Sequence, residues 1–143
     1  MTKLVDARTS QNASFVNSIF EPVLIFDEET VGQVGLAVGT AGPNLRVQLS
    51  GTVTVQLPLA PVLTTITIRV VRGTVETDQL VFSTSQTLDL AITGPQSISF
   101  VGSDFNPPIP GSGPLAYTAF ISASAIGTAR VGPESFNAVA FSD

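Results

Sequence analysis

The chain has 143 residues, of which 43% are hydrophobic and only 12% charged, with a formal net charge of -5 and neither cysteine nor histidine. That length predicts one domain with a real core, and the missing side chains exclude thiolate and imidazole metal sites, thiol nucleophiles, Ser-His-Asp triads and disulfides. Five scattered arginines in an acidic chain argue against nucleic acid as a partner. Thr and Ser together outnumber the charged residues, and Lys3 is the one lysine. Little charge holds copies of such a chain apart, so a place in an assembly is expected.

Residues 1–14 read as a polar arm around one apolar pair, Leu4 and Val5. The arm is too poor in apolar surface to fold alone; it lies either along its own domain, residues 15–143, or against a neighbouring copy. It has no apolar core of signal length, so no secretion signal is expected. No stretch approaches the roughly eighteen apolar residues of a membrane span, so no membrane is expected as a partner.

From Ser14 to Phe26 two apolar runs, SFVNSIF and VLIF, are split at Glu21-Pro22; proline lacks the ladder donor and predicts a strand end or edge there. Asp27-Glu28-Glu29 forms a polar corner. Thr30–Val38 is strand-like, with Gly32 and Gly35 marking a bulge or a close backbone approach. After the turn cluster Gly39–Asn44, the segment Leu45–Leu57 alternates without a fault: Leu45, Val47, Leu49, Gly51, Val53, Val55 and Leu57 against Arg46, Gln48, Ser50, Thr52, Thr54 and Gln56. Period two puts the two sets on opposite faces of a strand, and the central Gly51 predicts a bulge or bend.

Pro58–Pro61 ends that strand. Thr64, Ile66, Ile68 and Val70 alternate with polar residues as far as Arg72-Gly73, Leu80–Phe82 makes a short strand, and Leu88, Leu90 and Ile92 alternate again. Ile98 and Phe100 begin a strand that runs toward Phe105. Asn106–Pro114, with four prolines and two glycines, reads as the longest loop. The last two strands differ from the rest. Leu115, Tyr117, Ala119, Ile121 and Ala123 share one face, yet Ala116, Phe120 and Ile126 stand on the other; after Gly132-Pro133, Phe136, Ala138 and Ala140 oppose Val139 and Phe141. Antiparallel sheets usually wet one face, no amphipathic helix is available as cover, and the remaining supplier is another copy of the chain. Eight to ten short strands without a helical period predict an all-β jelly-roll sandwich of antiparallel strands with an extended N-terminal arm, rather than an immunoglobulin-like one, since the chain is longer and has no Trp or Cys pair.

Four stretches carry a resemblance: Val47–Val53, Ile66–Gly73, Gly113–Phe120 and Val131–Ala140. In strands and turns they resemble the trimeric jelly-roll heads of the tumour-necrosis-factor and complement-C1q type found on spores of Firmicutes, in exosporium layers and endospore appendages. The resemblance implies a homotrimer at the spore surface. Leu115, Tyr117, Phe120, Ile121, Phe136, Ala138, Val139 and Phe141 would then line the subunit interface, and Lys3, Leu4, Val5 and Ala7 would serve as a non-covalent connector to the next trimer, with a spore-surface anchor protein as a further partner. No cofactor or metal is implied.

Carboxylates are the only groups suited to catalysis, and Asp27, Glu28, Glu29, Glu76, Asp78, Asp89 and Asp104 fall mostly in turns, where solvation or capping explains them. Asp27-Glu28-Glu29 supplies too few oxygens for calcium. No enzymatic activity is expected. A structural, self-assembling subunit is the leading reading, and the alternative is a C1q- or lectin-like head that binds a surface ligand through loops such as Asn106–Pro114.

Overall fold

The computed structural model describes all 143 residues and contains no helix. Ten strands follow one another: β1 (Lys3–Ala13), β2 (Glu21–Pro22), β3 (Glu29–Leu36), β4 (Arg46–Gln56) and β5 (Thr65–Arg72), then β6 (Gln79–Thr87), β7 (Gln96–Phe105), β8 (Leu115–Ala123), β9 (Ala129–Arg130) and β10 (Glu134–Ser142). β1, β10, β4 and β7 are neighbours in one sheet, and the short β9 and β2 continue its row beyond β10. β3, β8, β5 and β6 form the other. Every connection between long strands except the β5–β6 hairpin changes sheet, which is the jelly-roll winding. The core is one cluster of buried side chains from both inner faces, including Leu49, Val53, Ile66, Ile68, Tyr117, Ile121 and Phe136.

The alternation in residues 45–57 is realised as β4, the central strand of its sheet, paired along its whole length with β7 and over Arg46–Thr52 with β10. Gly51 makes no bulge: its register is unbroken on both sides, where it pairs with Phe100 and Phe136. The glycine is there for room, since a Cβ would stand 2.4 Å from Phe100 Cζ and 2.7 Å from the Ser135 carbonyl oxygen. The rings of Phe100 and Phe136 stack at 6.4 Å, and Phe82 extends the row at 6.1 Å from Phe100. Gly32 does sit at a register shift, and Gly35 is approached by Pro114.

Two sequence expectations change. The 14–26 runs give only the two-residue β2; their apolar side chains sit in a connection held by backbone bonds from Val23 N to Thr128 O and from Ala123 N to Leu24 O. β6 continues to Thr87 through hydroxyl and amide residues, which carry no apolar alternation to betray a strand, and Leu88–Ile92 is a loop pinned by Gln96, whose side chain bonds both backbone groups of Asp89. Of the two places open to the N-terminal segment, the structure shows the first: Lys3–Ala13 lies along its own domain as an edge strand on β10, with Val5 against the core and Ala13 buried.

Asp6 helps to hold that edge. Its carboxylate accepts from the Ala37 amide at 2.7 Å, from its neighbour Ala7 and from Arg8, and the Ala37 bond first, then Arg8, lowers its pKa below the ordinary 3.8. A carboxylate whose pKa falls on folding stabilises the fold above its unfolded pKa and loses that contribution as pH drops through the folded value. Urea unfolding followed from pH 5 down to about pH 2 is expected to show a shallower loss of stability in Asp6→Asn than in the parent; equal slopes would refute the role.

Candidate interaction surfaces

The structure closes off most of the side chains that the sequence assigns to a subunit interface. Leu115, Tyr117, Ile121, Phe136 and Ala138 point between the two sheets and are buried within one chain. Phe120 points outward from β8 yet is only 2% exposed, in a row between Thr30 and Arg69. The 25–28 segment and the Arg69–Glu28 ion pair lie over that face beside Ser122. These six side chains therefore cannot meet a partner; the facing sheet covers the first five, and Phe120 is covered within its own chain. Of the connector residues, Lys3 is turned to the Thr40 carbonyl and Val5 to the core.

The four candidates that remain come together. Antiparallel register puts Leu4, Phe141, Arg46 and Phe105 in one row across β1, β10, β4 and β7. Ala7, Val139, Gln48 and Ser103 form the next row, followed by Thr9, Asn137, Ser50 and Val101. This is the outer face of the first sheet, with Leu4 62% and Phe105 71% exposed and a shallow depression between Phe141, Arg46 and Phe105. Arg46 is the only charged side chain in the three rows, and it is held by Asp143 and Thr2. Phe105 and Val101 went unassigned in the sequence although they stand out of phase with Ile98 and Phe100, the signal that marks an apolar outer face.

A second surface lies at one end of the sandwich, where the connections 14–28, 57–64, 88–95 and 124–133 emerge together. Eleven of the eighteen exposed large apolar side chains are here. Phe15, Val16, Phe20, Leu24 and Phe26 come from the first connection, Leu59, Val62 and Leu63 from the second, and Leu90, Ile92 and Ile126 from the other two. A cleft of about 300 Å³ runs between Phe20, Leu59, Leu90 and Ile92; a second of about 280 Å³, between Leu24, Phe26 and Ile126, shares Gly127 with it. Asn106–Pro114, the loop singled out for ligand contact, sits at the opposite end. Six of the eleven carboxylates (Glu21, Asp27, Glu28, Glu29, Asp89 and Glu134) belong to this apolar end.

The remaining ionisable groups are tied to one another. At the apolar end Arg130 grips Glu134 through two bonds of 2.6 Å, with Asn12 on the same carboxylate at 2.8 Å and Glu29 at 3.4 Å from Arg130. At the far end Arg72 makes two 2.8 Å bonds to Asp104, which also accepts from the Tyr117 hydroxyl at 2.6 Å. Burial first, and then the bond to Asp104, push the Tyr117 pKa far up, so the phenol stays a donor. Both networks join strands of opposite sheets, one at each end of the core. Asp78 accepts from the Thr74 and Val75 amides, and Asp89 from Ala91, as turn caps. No group of three or more Asp or Glu is placed to hold a metal ion.

No family model and no curated protein matches the chain. Among solved structures it is similar to infectious bursal disease virus in the T13 viral particle, with a TM-score of 0.49 and 11% identity over 99% of this chain and 35% of that one. It is similar also to the VP2 subviral particle of that virus, with a TM-score of 0.47 and 12% identity over 99% and 37%. The chain thus spans little more than a third of the chains it matches.

Proposed function

We propose that this protein is a structural subunit that assembles with copies of itself through the outer face of the β1–β10–β4–β7 sheet. The observation behind this is the meeting of Leu4, Ala7, Val139 and Phe141 with Phe105 and Val101 on one face whose only charged pair is Arg46 with Asp143 at its margin. A chain of net charge -5 meets its copies most readily where no carboxylate is left unpaired, and association there buries apolar area that otherwise faces water. Homotrimers in a spore-surface layer or appendage, with an anchor protein as a further partner, are the finer form of the proposal; they rest on the resemblance in strands and turns.

The test is the mass in solution. Sedimentation equilibrium at micromolar concentration is expected to give a multiple of the 14.8 kDa chain, three for the trimeric form. Leu4→Ser/Phe105→Ser, both changes at exposed positions, is expected to weaken association about 30-fold or more, as loss of central interface side chains does, while Val75→Ser in the β5–β6 turn of the other sheet leaves it unchanged. A parent chain that stays a monomer at these concentrations would overturn the proposal.

A further inference from the structure

We infer that the apolar loop end of the sandwich is a docking site for a basic, apolar peptide segment of a different protein. Three observations carry this. The first is the amount of apolar surface: Phe26 is 96% and Leu59 106% exposed, each beside one of two joined clefts. Exposed apolar surface of that continuity marks an interaction site. The second is that the surface is preformed, since the 14–28 connection is stitched to 123–131 by the backbone bonds of Ile19, Val23 and Ala123; little ordering remains for a partner to drive.

The third is charge, and it selects the occupant. Carboxylates punctuate the apolar side chains: Glu21 follows Phe20, Asp27 lines a cleft with Phe26 and Ile126, and Asp89 precedes Leu90. Glu28 and Glu29 add their charge beneath this end, each with one carboxylate oxygen buried and without a hydrogen-bond partner. A second copy is poorly supplied with such donors, because all five arginines are already ion-paired within the chain and Lys3, the one lysine, is bonded to the Thr40 carbonyl. A bilayer fits no better, for anionic headgroups repel these acids. The partner must bring the cations itself, with Lys or Arg flanking apolar side chains that enter the clefts.

The experiment uses two fluorescein-labelled peptides with the same Leu/Phe centre, one flanked by lysines and one by glutamates, titrated with the full chain and read by anisotropy. The lysine peptide is expected to bind saturably, about tenfold or more tighter than its twin, and to weaken as salt rises. Glu21→Gln/Asp27→Asn/Asp89→Asn is expected to erase most of that preference, and Phe26→Ser/Leu59→Ser to weaken both peptides. Equal affinity of the twins, no binding of the lysine peptide, or flotation of the protein with phosphatidylcholine vesicles would overturn the inference. So would loss of self-association in Phe26→Ser/Leu59→Ser, which would make this end the contact between copies. Peptide binding that survives Leu4→Ser/Phe105→Ser keeps the result separate from the assembly proposal.

Discussion

Arg130→Met is expected to lower the unfolding free energy by about 3–5 kcal/mol, the cost of leaving a buried charge without its partner. Glu134 has 0% of its surface exposed and Arg130 3%, so water cannot replace the guanidinium. Burial is the largest single influence and opposes charge on Arg130, but the bonds to Glu134 together with the charges of Glu134, Glu29 and Glu21 outweigh it and hold the arginine pKa above its ordinary value. Without Arg130, Glu134 retains only the Asn12 amide among its side-chain partners. Thermal unfolding is expected to show a midpoint lower by about 10 °C for a chain of this size. Arg130→Met/Glu134→Leu removes both charges and is expected to recover most of the loss, since an apolar replacement of similar volume need not be desolvated. A double variant less stable than the single one would show that the pair itself, rather than the orphaned carboxylate, carries the energy.

That network was invisible in the sequence for a physical reason. Arg130 and Glu134 look like a surface pair near a Gly-Pro turn, and nothing in their spacing says that β3 and β1 close over them with Glu29, Thr30 and Asn12. The strands were legible wherever one face met the core and the other met water, as in β4 and β5. They were not legible in the second half of β6, where Ser83–Thr87 lie at a sheet edge and pattern tells nothing. Leu88–Ile92 carried the opposite error: an apolar alternation in a loop whose Leu90 and Ile92 face outward.

The candidate site was half legible for a related reason. Apolarity on both faces of β8 and β10 showed that both faces need cover, but a sequence does not say whose. For β8 the cover is the chain's own 25–28 segment with the Arg69–Glu28 pair. For β10 it is absent, and Val139 and Phe141 stay half-exposed beside Leu4 and Ala7, side chains of two strands brought together by register alone. The apolar 14–26 runs looked like strands; their place in a connection at one end of the sandwich leaves Phe15, Val16, Phe20, Leu24 and Phe26 on the surface.

Gly51→Val is expected to cost about 3 kcal/mol or more, at the upper end of overpacking losses. In an open strand position the substitution would help, because glycine loses more freedom on folding than a β-branched residue and packs nothing. Here the first added atom already stands 2.4 Å from Phe100 Cζ and 2.7 Å from the Ser135 carbonyl oxygen. One obstacle is a ring that can be trimmed, the other a backbone atom that cannot. In the milder Gly51→Ala background, Phe100→Leu is therefore expected to recover part of the lost stability but not all of it, a coupling that a double-mutant cycle in urea measures directly. Additive losses would mean that the ring yields freely and that the Ser135 carbonyl alone sets the limit. Undiminished stability in Gly51→Val would mean that β4 shifts away from β10 as a whole, breaking the rows that bring Leu4, Phe141 and Phe105 onto one face.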